Sequence, residues 1–180
     1  AEESIYDSIA TKTNFRYKWL LINLGTSFLA AATVSLFEST ISKNVLLAVY
    51  MPIVAGMGGN AGTQTLAVMV RGLSQVQANS ALIWETLKSE VGAGFLSGVL
   101  NGLVIAAVIM LINADVVVAI TLGLAMVFNL VIAATFGTLV PFAMKKIGKD
   151  PASSATIFIT TATDVFGFIF FLGLATALLR

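Results

Sequence analysis

The chain has 180 residues, of which 58% are hydrophobic and only 11% charged, where soluble domains carry about a quarter charged residues. That shortfall excludes an ordinary water-facing surface and points to lipid as the solvent. A net charge of +1 with no Cys and no His excludes a disulfide framework, thiolate or imidazole metal sites, Cys or His catalysis, and a general attraction to nucleic acid; any metal handled here takes oxygen ligands and is a hard cation.

The start, Ala1-Glu2-Glu3, is acidic, and the chain stays polar for its first fourteen residues; residues 1-18 form the segment before the first apolar run. They lack the apolar core of a signal peptide and predict a connecting segment, a surface helix that leads into the membrane. No Met opens the chain, which is expected to be a piece of a longer protein. From there, residues 19-180 read as one transmembrane domain, with no internal repeat.

A helix needs about 20 apolar residues to cross a bilayer core. Five runs meet that length: Trp19 to Phe37, Val45 to Val70, Val91 to Ile112, Val116 to Met144, and Ser153 to Leu179. They are too long for strands and do not alternate. The fold class is therefore all-α: a polytopic membrane protein with five transmembrane helices. Between the second and third runs, Arg71 to Glu90 predicts a polar loop with a short interfacial helix around Ala81 to Leu87. Lys145 to Pro151 predicts a tight turn with a breaker at each end. With the N-terminus in the cytoplasm, eight basic residues fall inside (Lys12, Arg16, Lys18, Arg71, Lys88, Lys145, Lys146, Lys149) and two outside (Lys43, Arg180). That asymmetry satisfies the positive-inside rule. The expected location is the cell (inner) membrane, with the C-terminus outside.

Asp164 lies about eleven residues into the fifth run and is the only acidic residue deep in any of them. A carboxylate at that depth is costly unless it faces protein, water or a cation, and such residues are functional by default. The structural alternative is a protonated Asp bonded to a neighbouring helix. Thr156, Thr160, Thr163, Asp164 and Gly167 share one face by three- and four-residue spacing. In the second run, Pro52 to Gln64 holds four glycines within seven residues, which weakens a helix. Irregular backbone at membrane depth is tolerated only where it is buried in protein or lines a water-filled cavity. Gly56, Asn60, Thr63, Gln64 and Ala67 share a face that predicts a polar path for a cation or its water shell. The competing reading is close packing of helices through glycine, with Asn60 and Gln64 bonded across it.

Elsewhere the residues read as structure. Gly94, Gly98 and Gly102 form a small-residue ladder for helix packing, and Asn101 and Asn129 predict interhelical hydrogen bonds. Glu38, Glu90 and Asp115 are placed at span ends, where charge is tolerated. One carboxylate per chain cannot neutralise a divalent ion, whereas two around a two-fold axis can. Magnesium sheds water reluctantly, so one Asp per chain plus neutral oxygens suits a hydrated divalent ion.

The run Met51-Pro-Ile-Val-Ala-Gly-Met-Gly-Gly-Asn-Ala-Gly-Thr-Gln-Thr resembles the signature of the MgtE family of magnesium channels. Trp19-Leu-Leu-Ile-Asn-Leu, Phe37-Glu38, Val70-Arg-Gly-Leu, Lys88-Ser-Glu-Val-Gly, Asp150-Pro-Ala and Thr160-Thr-Ala-Thr-Asp-Val-Phe-Gly167 match in order, so the resemblance covers Trp19 to the end. It implies a homodimer whose central pore is lined by the second and fifth spans. It also implies a selectivity role for Asp164, a backbone carbonyl from Thr160 beside it, and Mg2+ as the transported ion. Asp150 would hold a weaker ion at the cytoplasmic mouth. Family members carry cytosolic N-terminal and CBS domains that sense magnesium. This chain holds neither, either because they belong to a missing part of the polypeptide or because this relative never had them. Ala155 and Ile157 depart from the family pattern, where Ser and Pro are frequent, and predict a straighter start to the fifth helix.

The resulting expectation is a magnesium-selective channel that conducts hydrated Mg2+ inward, with the bilayer and a second copy as its partners. A gradient-coupled cation exchanger is the first rival. A non-transporting membrane anchor, with Asp164 as a structural hydrogen-bonder, is the second. No enzyme is expected, since an aspartyl mechanism needs a second buried carboxylate.

Overall fold

The computed structural model describes residues 4–75 and 80–179. The acidic start Ala1 to Glu3, Arg180, and positions 76–79 of the expected loop lie outside the described residues. Among the described residues every regular element is helical: α1 (Ile9–Ser35), α2 (Glu38–Lys43), α3 (Leu46–Gln75), α4 (Ser80–Ile112), α5 (Val116–Lys146) and α6 (Pro151–Leu178).

Helix α1 starts where Ser8 caps it, accepting the backbone N–H of Thr11 at 3.2 Å. It satisfies one of the free donors that every helix start leaves. The helix then runs through position 18 without a break, so the surface segment and the first apolar run form one continuous element. It packs along α6.

Two expectations need correction. The glycine-rich stretch was expected to loosen the second span, yet α3 is α-helical across all of it, with Pro52 inside. The reason is packing. Glycines there let neighbouring helices approach: a Cβ at Gly58 would lie 2.8 Å from Thr163 Cβ, and one at Gly62 would collide with Ile159. Tertiary contact offsets the weak helix propensity of the run. The second correction concerns the polar stretch Arg71 to Glu90. It is not a long loop with a separate interfacial helix: α3 continues to Gln75 and α4 begins by Ser80, so Ala81 to Leu87 is the first part of α4. Glu85, Lys88 and Glu90 hid this start from a hydropathy reading, although each is a good helix former.

The turn between α5 and α6 follows expectation. Gly148 adopts φ +71°, the left-handed conformation that glycine reaches without a Cβ penalty. Lys149 N–H bonds Met144 O at 2.9 Å and Gly148 N–H bonds Lys145 O at 3.1 Å, the paired closure of a Schellman motif. Pro151 then opens α6, where its missing N–H costs nothing. No proline interrupts α6 beyond that first position.

Helix α5 is the hub. It packs against α3, α4 and α6, and Leu122, Ala125, Met126 and Leu130 join Val54 of α3 and Phe171 and Leu172 of α6 in one core. The small-residue ladder on α4 docks on it as expected: a Cβ at Gly98 would meet Val127 Cα at 2.6 Å, and one at Gly102 would meet Gly123 O at 2.5 Å. These backbones touch with no side chain between them, the geometry of small-residue membrane packing.

Among the described residues three helices are long and apolar enough to cross a membrane: α4 over Leu82–Ile112, α5, and α6 over Ala155–Leu178. The buried share of the apolar window is 50% for α5 and 17% for α4, so α4 offers most of its apolar surface outward. Helices α1 and α3 have the length, at 27 and 30 residues, without the hydropathy. Helix α1 begins with Lys12, Arg16 and Lys18, and α3 carries Asn60, Thr63, Gln64 and Thr65.

Candidate functional site

Asp164 sits mid-way along α6, half-buried. Among the described residues it has neither a hydrogen-bond partner nor a counter-charge. The structural alternative, an Asp bonded to a neighbouring helix, therefore has no partner within the described chain.

The face around it divides. Thr156, Thr160 and Asp164 are half-buried, whereas Thr163 and Gly167 are buried against the hub. Thr160 Oγ1 donates to Thr156 O at 2.9 Å. The Thr160 backbone carbonyl accepts Thr163 Oγ1 at 3.0 Å in addition to its place in the helix ladder. Both lone pairs of that carbonyl are thus in use.

Asn129 of α5 organises the junction of α3, α5 and α6. It is fully buried and donates Nδ2 to Val54 O of α3 at 2.7 Å, the interhelical bond expected of it. Its Oδ1 is the buried side-chain oxygen without a partner among the described residues. That oxygen faces α6, where a Cβ at Gly167 would lie 2.9 Å from it. Gly167, expected to line a path, thus packs against Asn129. Asn101 departs from expectation, since its Nδ2 bonds Ser97 O of its own helix at 2.8 Å. Asn101 lines the gap between α4 and α3, where it makes no bond to the neighbouring helix, so it bonds backward along its own.

On α3 the expected face is coherent. Gly56, Asn60, Thr63, Gln64 and Ala67 are all exposed, and Thr63 Oγ1 bonds Asn60 O at 2.8 Å. Next to this face, a Cβ at Gly59 would lie 3.7 Å from Thr160 Cγ2. The half-buried side of α6 therefore adjoins the open polar face of α3. The glycines sort by position: Gly58 and Gly62 point at neighbours, and Gly56 points at open space.

Asp150 is not brought to this place. It is exposed, just before Pro151, about 21 Å along α6 from Asp164 at 1.5 Å per residue. Asp115 caps α5. The Val118 N–H at 3.0 Å holds its carboxyl below the usual carboxylate range against some desolvation, with help from Asn44 Nδ2 at 2.7 Å and the Val117 N–H. No group of three or more acidic residues gathers among the described residues. A cation at Asp164 would thus meet one carboxylate per chain and neutral oxygens, a poor cage for a bare ion and a suitable cradle for a hydrated one.

Glu90, expected at a span end, lies within α4 directly before its uncharged run Val91–Ile112, half-buried, and accepts Thr65 Oγ1 at 3.0 Å, a contact the sequence reading did not include. The signal for that contact was present in Thr65, whose spacing from Gly58 and Gly62 puts it on the buried side of α3 and not on the open polar face.

A family model for MgtE, described as a divalent cation transporter, matches residues 51–174. Over 165 residues the chain is 31% identical to the magnesium transporter MgtE of Bacillus subtilis, covering 92% of this chain and 37% of that protein. Over 178 residues it is 31% identical to the magnesium transporter MgtE of Enterococcus faecalis, covering 99% and 39%. Over 165 residues it is 26% identical to the magnesium transporter MgtE of Thermus thermophilus, covering 92% and 36%. The chain spans less than two fifths of the length of these curated relatives.

Proposed function

The chain belongs to the MgtE family of divalent cation transporters, and on that premise we propose that it forms the pore of a magnesium channel, passing hydrated Mg2+ into the cytoplasm down its electrochemical gradient. The observation that carries this reading is Asp164: an unpaired, half-buried carboxylate in an apolar helix, beside a helix whose exposed face is polar and small. In lipid such surfaces are stable only when covered by protein or water. A second copy meeting the first across the open side of α3 and α6 supplies that cover, and the two Asp164 carboxylates then match a divalent charge. This is the homodimer we propose, with α1, α3, α4, α5 and α6 as five spans.

In this reading Asp164 holds the ion through its waters. Thr156 and Thr160 flank it, and Gly56, Asn60, Thr63 and Gln64 line the approach. Because Thr163 already occupies the Thr160 carbonyl, Thr160 takes part only if that hydroxyl turns away. Asp150 offers a weaker site at the cytoplasmic mouth. The positive-inside bias supports a cytoplasmic N-terminus in the cell membrane. A potential of about 100 mV, negative inside, supplies roughly 2.3 kcal/mol per charge, doubled for a divalent ion.

The test is magnesium uptake into liposomes reconstituted with the wild-type chain or with Asp164→Asn. Uptake driven by membrane potential alone and abolished by the substitution is the expected outcome. Uptake that survives Asp164→Asn removes this residue from the filter, and uptake that requires a sodium or proton gradient makes the protein an exchanger.

A further inference from the structure

Helices α3 and α4 are held apart by α5, and a cleft of about 420 Å3 opens between them over a floor of Leu130 and Ala134. Six polar residues line it: Asn60, Gln64 and Thr65 from α3, and Glu90, Ser97 and Asn101 from α4. No lysine or arginine is among the lining residues. Glu90 is half-buried where the uncharged run Val91–Ile112 of α4 begins. Its described hydrogen bond comes from the neutral hydroxyl of Thr65 at 3.0 Å, which leaves most of the carboxylate's acceptor capacity free. The Asn101 amide has spent a donor on Ser97 O, and its Oδ1 remains an acceptor.

A half-buried carboxylate whose described partner is one neutral hydroxyl needs water or a cation facing it. The lining supplies oxygen acceptors and no positive charge, which is the chemistry of a cation site. Its size decides the form of the cation. Six waters fill about 180 Å3 at ~30 Å3 each, so the cleft of about 420 Å3 admits an ion with its first water shell intact. Asn60 and Gln64 belong both to this lining and to the exposed face of α3, so the two regions are continuous.

We propose that the α3–α4 cleft is a second binding site for a hydrated divalent cation, with Glu90 as its charge and Asn60, Gln64, Ser97 and Asn101 accepting hydrogen bonds from the ion's waters. The site is separate from Asp164, and it rests on the proposed function only for the class of ion.

The probe is Mn2+, followed by loss of its free electron paramagnetic resonance signal on titration into the purified chain. Asp164→Asn is expected to retain Mn2+ binding, and adding Glu90→Gln to weaken what remains at least tenfold. Glu90→Asp in the same background is expected to restore binding, which separates loss of the site from loss of the fold. Hexaamminecobalt(III), which presents fixed ammines in place of water, is expected to compete. Unchanged Mn2+ binding by the Asp164→Asn, Glu90→Gln double variant overturns the proposal, and so does loss of all binding on Asp164→Asn alone. Failure of hexaamminecobalt(III) to compete overturns binding through the water shell. Uptake insensitive to Asp164→Asn counts against the filter and leaves the cleft site standing.

Discussion

Asn129 and Gly167 meet across the α5–α6 interface so closely that their substitutions cannot act independently. A Cβ at Gly167 would lie 2.9, 3.0 and 3.1 Å from Oδ1, Cγ and Nδ2 of Asn129, and these three nearest atoms all belong to that one side chain. Asn129 is pinned by its bond to Val54 O at 2.7 Å, so it cannot swing aside without breaking that bond. For Gly167→Ala, overpacking costs about 1–3 kcal/mol, offset by about 1 kcal/mol of improved helix propensity. A net loss of about 0–2 kcal/mol is expected. Asn129→Ala loses one buried hydrogen bond, about 1 kcal/mol, and leaves a small cavity. In the double variant the clash disappears because its partner is gone, and the propensity gain remains. The double variant should therefore be more stable than the two single losses predict, with a coupling of about 1–3 kcal/mol. Unfolding of the purified chain in mixed micelles, followed by far-ultraviolet circular dichroism, measures all four corners of the cycle. Additivity within about 0.5 kcal/mol would refute the packing argument, because independent sites add to that tolerance.

Other consequences follow from the same geometry. Gly98→Ala should cost about 1–3 kcal/mol, since the new Cβ meets Val127 Cα, a backbone atom that yields only if α4 moves off α5. Gly72→Ala, with nothing within 4 Å, should be neutral or stabilising by up to about 1 kcal/mol; the same titration compares the two. Asp115 has a folded-state pKa below its unfolded value. Its stabilisation is therefore complete above the unfolded value of about 3.9 and fades as pH falls through the folded one. Asp115→Ala should cost about 0.5–2 kcal/mol at neutral pH as a lost helix cap and should flatten the acid limb of the stability profile, as melting temperatures from pH 3 to 7 would register.

Long apolar runs need no tertiary information to be recognised, because length and lack of charge alone determine whether a segment can live in lipid. On that ground the helices α5 and α6, the Gly148 turn between them and the place of Asp164 mid-way along α6 were legible from sequence. So was the α4 ladder, since glycine every fourth residue leaves one side of a helix bare whatever packs there. The class of the exposed α3 face was legible too, because Gly56, Asn60 and Thr63 recur at helical spacing. The sequence could not say which glycines loosen a helix and which admit a neighbour. Gly58 and Gly62 differ from Gly56 only in that Thr163 and Ile159 stand opposite them, residues a hundred positions away. Nor could it distinguish Asn129 from Asn101: each is one amide in an apolar helix, and only the position of Val54 O makes one interhelical and the other local. Glu90 shows the same limit most sharply. Lys88-Ser-Glu90 reads as the polar edge of a membrane span, and only the divergence of α3 from α4 around α5 turns that edge into a cleft with a carboxylate inside. Composition sets the solvent of this protein, and the packing of helices around α5 decides which polar groups are exposed, which meet each other, and which, like Asp164, stay without a partner among the described residues.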